Sequence, residues 1–257
     1  MTDLVRTAGA AQVYSVTLCR PDKRNALTTA MIDRLQEALV RLAADDDVRV
    51  IVVRGEGPAF CAGLDLRELA AQREAGQVET HTLEAALETL ERCPQPTIAA
   101  VQGDAIAGGC ELALHCDLRV AADTARFAMP LARIGIAVPV ALTWKLVDTI
   151  GAAATKALLF TGEPLDAQAA LTLGLVNQVV PAARLEEEVT ALAGRIAANA
   201  PLSVRAMKAF VQRAADSHRA WRRDDLEEVF RTVRASDDAR EGLAAQRERR
   251  PPRFRGR

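Results

Sequence analysis

A chain of 257 residues and 27.6 kDa is long enough to enclose one substantial core. With 49% apolar and 26% charged residues it has the balance of a globular domain in water. A formal net charge of -1 gives no general attraction to nucleic acid or to an anionic membrane, and no apolar run approaches the roughly 18 residues of a membrane span, so neither partner is expected.

The N-terminal stretch "MTDLVRTAGAAQVYSV" lacks a basic start followed by an apolar core, so the expected location is the cytoplasm. "VYSVTLCR" then reads as a short β-branched strand ended by "PDKRN". In "MIDRLQEALVRLAA" the apolar residues Ile32, Leu35, Leu39 and Leu42 recur at helical spacing and predict one buried helix face. "VRVIVVRG" is a fully apolar strand, and the glycines and proline of "EGPAFCAGLDL" mark a sharp loop after it. From Arg67 to Arg92 the chain is expected to be helical with a mobile start, because "AAQREAGQVETH" has no clear face while "LEAALETLE" does.

A second buried strand, "TIAAVQG", follows the break at Pro94 and Pro96, and the chain runs on through "DAIAGGCELALHCD" into "LRVAAD". Repeated strand-then-helix order predicts an α/β protein with parallel strands. Beyond Trp144 the signals are almost wholly helical. The expected organisation is an α/β core over 1–195 and a helical region over 196–257. The five cysteines, Cys19, Cys61, Cys93, Cys110 and Cys116, form an odd set on apolar segments without CxxC spacing. They predict reduced, mostly buried thiols, with neither a disulfide framework nor a zinc site.

Two glycine-containing turns follow two apolar strands: "AFCAGLDL" and "AIAGGCELA". A helix beginning just after each turn leaves N–H groups pointing outward at the positive end of its dipole. Two such turns side by side can hold a carbonyl oxygen as it becomes an oxyanion. Close packing of the GlyGly pair is the simpler reading of each turn alone. Glu111, three residues after Gly108, adds weight: a carboxylate among Cys110, Leu112, Ala113 and Leu114 is costly to bury unless it is hydrogen-bonded or functional. Alone, it fits helix-dipole stabilisation as well as catalysis.

Together, "RPDKRNAL", "IVVRGEGPAFCAGLDL", "PQPTIAAVQGDAIAGGCELALHCDLRVAADTARFAMP", "TGEPLDAQAALTLGLVNQVV" and "EGLAAQRERRPPRF" resemble the crotonase superfamily, the enoyl-CoA hydratase/isomerase family, over nearly the whole chain. The resemblance implies a crotonase-like spiral of ββα turns with a C-terminal helical trimerisation region, forming a homotrimer or a dimer of trimers. It implies an acyl-CoA thioester as substrate, with coenzyme A part of the substrate and no separate cofactor. It places the oxyanion hole on the backbone N–H groups of Leu64 and Gly108, and the water-activating glutamate on Glu111. Lys23, Arg24, Ala26 and Leu27 of "KRNAL", with Ala62, Gly63 and Asp65 of "AGLD", are implied to receive the adenine and pantetheine portions. Asp65 is expected to support its loop rather than to act as a catalyst. Phe254 and basic residues such as Arg249 are implied to reach a neighbouring subunit's ligand, which suits arginine's fork-like pairing with phosphate.

The chain departs from the family pattern at the second catalytic glutamate of hydratases, which follows the proline of F-x-x-P-E. Here Phe127, Pro130 and Gly135 match, and Leu131 stands in the place of the acid that supplies the α-proton in hydratases; the resemblance implies that it meets the substrate. "AVPVALT" (137–143) replaces a glycine-rich stretch. It reads equally as packing and as a reshaped acyl pocket. Asp148 and His81 are the nearby titratable candidates, although a lone histidine on a covering helix is more often a surface residue. The reading is thus an enoyl-CoA hydratase/isomerase family enzyme, nominally hydrating a 2-enoyl-CoA through a stabilised enolate with one of the two usual glutamates. A thioester hydrolase, a carbon–carbon bond enzyme and a non-catalytic acyl-CoA-binding protein are the alternatives.

Overall fold

The computed structural model describes residues 3–75, 82–219 and 224–255. The chain opens with an antiparallel hairpin, β1 (Val5–Ala10) and β2 (Val13–Leu18). Its turn residues Ala11 and Gln12 both have positive φ, 48° and 71°, the conformation that matches a two-residue hairpin to strand twist. β1 has no counterpart in the sequence expectation: it is a mostly exposed edge strand, and "VRTAGA" carries too little apolar pattern to announce itself.

β2 pairs in parallel with β3 (Val50–Gly55), followed by β4 (Thr97–Val101), β6 (Leu118–Ala122) and β9 (Gln178–Val180). The resulting six-stranded sheet runs β1-β2-β3-β4-β6-β9. A three-stranded sheet of β5 (Asp104–Ile106), β7 (Arg126–Ala128) and β8 (Leu165–Asp166) lies beside it. The large sheet is covered on both faces, which is why its central strands read as unbroken apolar runs. Val50, Val52, Ile98, Ala100 and Val120 pack against Leu185, Val189 and Ala193 of α7 (Leu185–Ala197). The alternate residues Ile51, Val53, Ala99 and Val101 join the larger core, to which α1 (Thr29–Ala43), α3 (Thr82–Arg92) and α4 (Gly108–His115) contribute. α1 is capped by the Thr28 hydroxyl, which accepts from Met31 N at 3.3 Å, and it buries Ile32, Leu35, Leu39 and Leu42, the face read from the sequence.

The expected helix begins as α2 (Leu66–Glu74), directly after the loop; residues 76–81, the rest of the stretch read as a mobile start, lie outside the described residues. Asp65 nucleates it, its Oδ1 accepting from Arg67 N at 3.0 Å and Glu68 N at 3.4 Å. The helical half contains α5 (Val140–Thr161), broken at Gly151 where φ is 76°, then α6 (Ala167–Thr172) and α7. Residue 195 falls in the last turn of α7. Beyond it come α8 (Pro201–Arg219), α9 (Asp224–Ala235) and α10 (Asp237–Glu248). Lys208 fastens α8 to the core, pairing with Asp117 at 2.7 Å and donating to Gln95 O at 2.9 Å. α10 lies against the 3-10 turn Pro130–Ile134; a Cβ on Gly242 would sit 2.2 Å from Ile134 O. Among the described residues, no helix is long and apolar enough to cross a membrane.

Candidate active site

The two glycine turns meet at the end of the large sheet. Residues 61–65 are clamped on two sides by backbone hydrogen bonds: Cys61 N donates to Asp104 O at 3.0 Å and Ile106 N to Cys61 O at 2.9 Å. Leu27 N donates to Gly63 O and Asp65 N to Leu27 O, both at 2.8 Å. This pattern skips the N–H of Leu64. Across from it, Ala107 adopts φ 49° and ψ -119° while its N–H is held by Ala128 O at 2.8 Å, and α4 begins at the next residue. A non-glycine residue in this region is strained, so the surrounding contacts must hold it there. Among the described residues, neither the Leu64 nor the Gly108 N–H has a hydrogen-bond acceptor. They are neighbours: a Cβ built on Gly108 would stand 3.6 Å from Leu64 N.

A cavity of about 710 Å³ opens in front of these two groups. It is lined by Leu64, Gly108, Glu111 and Leu131, and by Lys23, Arg24, Ala26, Leu27, Ala62 and Asp65, so most of the residues singled out from the sequence converge on one space. Gly63, at φ 87°, shapes the turn without lining the cavity. Phe254 is 43% exposed and does not line it. Arg249 is exposed at the end of α10, and Asp148 is exposed on α5, away from the lining. His81 lies outside the described residues. Leu131 packs its side chain against the larger core and offers the cavity an apolar surface.

Glu111 is 8% exposed in the first turn of α4. Burial pushes its carboxyl up to about 8; the negative charge of Glu84 acts in the same direction, and Lys145 opposes it. Burial thus favours the protonated form of Glu111 well above the ordinary carboxylate range. Lys145 pairs with Glu91 at 2.7 Å, and Glu91 also lies 3.6 Å from Nε2 of His115, whose Nδ1 is 2.8 Å from the Glu111 carbonyl oxygen. A half-buried set of charges thus surrounds the buried end of the site.

Three residues around the site carry no sequence signal strong enough to single them out. Arg20 donates to Asp65 Oδ2 at 2.7 Å and to Ala26 O at 2.9 Å, tying the two halves of the expected CoA region together. Asn25 is fully buried, accepting from Arg20 N and donating to the carbonyls of Glu56 and Ala59, each at 2.9 Å. Glu84 lines the cavity from the first turn of α3. An acid at a helix start is so common that the sequence alone gives it no weight. The lining also carries the cations Arg20, Lys23, Arg24, Arg67, Arg133 and Arg234, a composition suited to a polyanionic ligand.

The sequence model of the enoyl-CoA hydratase/isomerase family matches residues 8–257. The chain belongs to that family. Among curated members of the enoyl-CoA hydratase/isomerase family, it is 33% identical to the 2,3-dehydroadipyl-CoA hydratase of Escherichia coli, the match covering 96% of each chain. Among solved structures, a carnitinyl-CoA hydratase from Mycobacterium avium superposes with a TM-score of 0.87 at 33% identity, covering 100% of both chains. A methylmalonyl-CoA decarboxylase superposes at 0.89 with 29% identity over 99% of each. The fold is therefore the α/β crotonase fold with C-terminal helices, and the protein is a crotonase-family acyl-CoA enzyme. These relatives share an acyl-CoA name but differ in reaction.

Proposed function

We propose that this enzyme hydrates a 2-enoyl-CoA thioester through an enolate held between the N–H groups of Leu64 and Gly108. One observation carries the reading: two uncommitted backbone donors and a buried carboxyl line the same cavity. As water adds to Cβ, the π pair moves toward the thioester carbonyl and negative charge collects on its oxygen. Donors aimed at that oxygen lower the barrier most where water is excluded. The Glu111 carboxylate takes the proton of that water as its oxygen bonds to Cβ, and the same carboxyl then delivers a proton to Cα. The cationic lining receives the phosphates of coenzyme A, and Leu131 faces the acyl portion.

The family's trimeric assembly is part of the same proposal. α8 exposes Leu202, Met207, Phe210 and Val211, an apolar face that supports association, and the exposed Phe254 supports a contribution from one subunit to its neighbour's ligand.

The test is proton NMR of a short 2-enoyl-CoA incubated with the enzyme in deuterated water, beside Glu111→Gln. Formation of 3-hydroxyacyl-CoA, slowed by about 10² to 10⁴ in the variant, is expected. Full turnover by Glu111→Gln would defeat the assignment.

A second reading is favoured by Leu131 specifically. Decarboxylation of a 2-carboxyacyl thioester breaks a carbon–carbon bond and leaves the electron pair in the same enolate, after which only a proton donor is required. A protonated Glu111 facing an apolar Leu131 meets that need without a second acid. Methylmalonyl-CoA in the same NMR experiment separates the two reactions by product.

A further inference from the structure

The Leu64 N–H can serve a developing oxyanion only while the 61–65 turn keeps its shape, and a second stretch of chain, residues 24–27, templates that shape. Ala62 N donates to Arg24 O at 2.9 Å, Leu27 N to Gly63 O and Asp65 N to Leu27 O, both at 2.8 Å, and Leu27 pairs with Leu64 in a parallel bridge. The contact with Gly63 O matters most. That carbonyl and the Leu64 N–H belong to one planar trans peptide, so their directions are opposed. Fixing the carbonyl on Leu27 N therefore fixes the N–H and points it away from Leu27.

Residues 24–27 do not hold this shape by their own preference. Arg24 and Asn25 both have positive φ, 51° and 54°, a conformation that costs a non-glycine residue energy and persists only where contacts enforce it. Arg24 and Ala26 line the cavity, whereas Asn25, fully buried between them, does not. Asn25 Oδ1 accepts from Arg20 N at 2.9 Å, and Nδ2 donates to the carbonyls of Glu56 and Ala59 at 2.9 Å and of Phe60 at 3.2 Å. Its main-chain carbonyl accepts from Cys61 Sγ at 3.2 Å, and Cys61 Sγ in turn accepts from Gly63 N at 3.4 Å. One neutral carboxamide thus joins the segment after β2, the loop after β3 and the 61–65 turn. Only a group that both accepts and donates can do so; a carboxylate there would set its lone pairs against three carbonyls.

We propose that Asn25 is a positioning residue for the oxyanion donor: its carboxamide locks residues 24–27 in the left-handed bend from which Leu27 aims the Leu64 N–H. The inference rests on the reading of Leu64 and Gly108 as oxyanion donors and applies to hydration and decarboxylation alike, since both pass through the enolate. Gln102 provides the comparison. Its Nε2 holds the same loop after β3, donating to Gly55 O and Ala59 O at 2.8 Å, with no contact to residues 24–27.

The experiment compares the wild type, Asn25→Gly and Gln102→Ala. Glycine keeps the left-handed backbone and removes only the carboxamide. Butyryl-CoA labelled with ¹³C at the thioester carbonyl is bound to each protein, and kcat and KM are measured with crotonyl-CoA and methylmalonyl-CoA, beside urea midpoints. Donors aimed at the carbonyl oxygen polarise it and move its resonance downfield of free butyryl-CoA. Asn25→Gly is expected to lose most of that displacement and about 10²-fold in kcat. A weaker grip of residues 24–27 on coenzyme A appears in KM instead. Gln102→Ala is expected to keep the displacement and a kcat within about threefold of wild type, even with a lowered urea midpoint. If Asn25→Gly does not fold, Asn25→Ser, which retains one donor, takes its place with the same expectation. An Asn25 variant that keeps the wild-type displacement and kcat, whatever its urea midpoint, assigns Asn25 to stability alone and overturns the proposal. Equal loss of displacement in Gln102→Ala overturns it as well, because any loosening of the loop would then suffice. A wild type that leaves the carbonyl resonance where free butyryl-CoA has it overturns the oxyanion reading and the role of Asn25 with it.

Discussion

Arg20 Nη1 lies 2.7 Å from Asp65 Oδ2, bridging the segment after β2 to the residue that starts α2. Both side chains are mostly shielded, with 22% and 14% of their surfaces accessible. Burial pushes the Asp65 carboxyl up, but the Arg20 hydrogen bond and the N–H groups of Arg67 and Glu68 together hold it below its ordinary value of 3.8. Removing Arg20 leaves that carboxylate without its cation beside the cavity. Arg20→Ala is therefore expected to lose about 1–3 kcal/mol, read from the urea midpoint at neutral pH. Because the folded value is depressed, the pair's stabilisation is present above pH 3.8 and is lost as pH falls through the lower folded value. The difference between wild type and variant should shrink on acidification; a difference independent of pH would show that the pair contributes packing alone.

Glu111 carries the opposite sign. Its folded value, about 8, lies above its ordinary 4.5. The contribution of the protonated carboxyl is complete below pH 4.5 and is lost as pH rises through about 8, at up to ~1.4 kcal/mol per pH unit. Glu111→Gln removes the titration. It is expected to be more stable than the wild type at pH 8 by on the order of 4 kcal/mol relative to the difference at pH 4.5, after allowing for discounting by local relaxation. Denaturation curves at several pH values test this, and parallel stability profiles would rule out a buried, proton-holding Glu111.

The contrast between these carboxylates explains what the sequence discloses. Strands β3 and β4 and helix α1 are legible because burial on both sheet faces, or on one helix face, writes an apolar pattern into neighbouring residues. The two glycine turns are legible because backbone contacts there exclude side chains and force glycine. β1 and β9 are not: one is an exposed edge, and the other is three residues inside a run of helical signals. Arg20 and Asn25 meet partners distant in sequence, such as Asp65 and Ala59, and no local pattern encodes a meeting of that kind. The absence of an acid at Leu131 is plain in the sequence, whereas the carboxylate on α3 that faces the same cavity emerges only from the packing.

Gly109 tests how tightly the two glycine turns, proposed to form the oxyanion hole, are coupled. A Cβ at this position would lie 2.1 Å from the Cys61 carbonyl oxygen, a backbone atom that cannot turn aside. Gly109→Ala must therefore push α4 away from residues 61–65, separating the Gly108 and Leu64 donors. Loss of one well-aimed donor typically lowers kcat by about 10² to 10³. A comparable fall is expected here, together with a lowered urea midpoint. Activity within about threefold of wild type would mean that the donors tolerate displacement, against the geometric demand made of an oxyanion hole.

The outer face of α8 tests assembly. Met207, Phe210 and Val211 recur at three- and four-residue spacing, and Phe210 is 70% exposed. Side chains at that spacing form one stripe, and an apolar stripe of this kind is more stable when covered. Lys208 of the same helix is bound to Asp117, so α8 is held to the core by one face while the stripe is presented outward. Phe210→Glu places a charge on this stripe without touching the Lys208 contact. If subunits meet through α8, sedimentation velocity should show the variant shifted to a smaller species with an unchanged far-ultraviolet spectrum. KM for the acyl-CoA should rise at the same time, because Phe254 and the basic end of α10 would no longer reach a neighbour's ligand. A wild type that sediments as a single chain would place the apolar stripe outside assembly altogether.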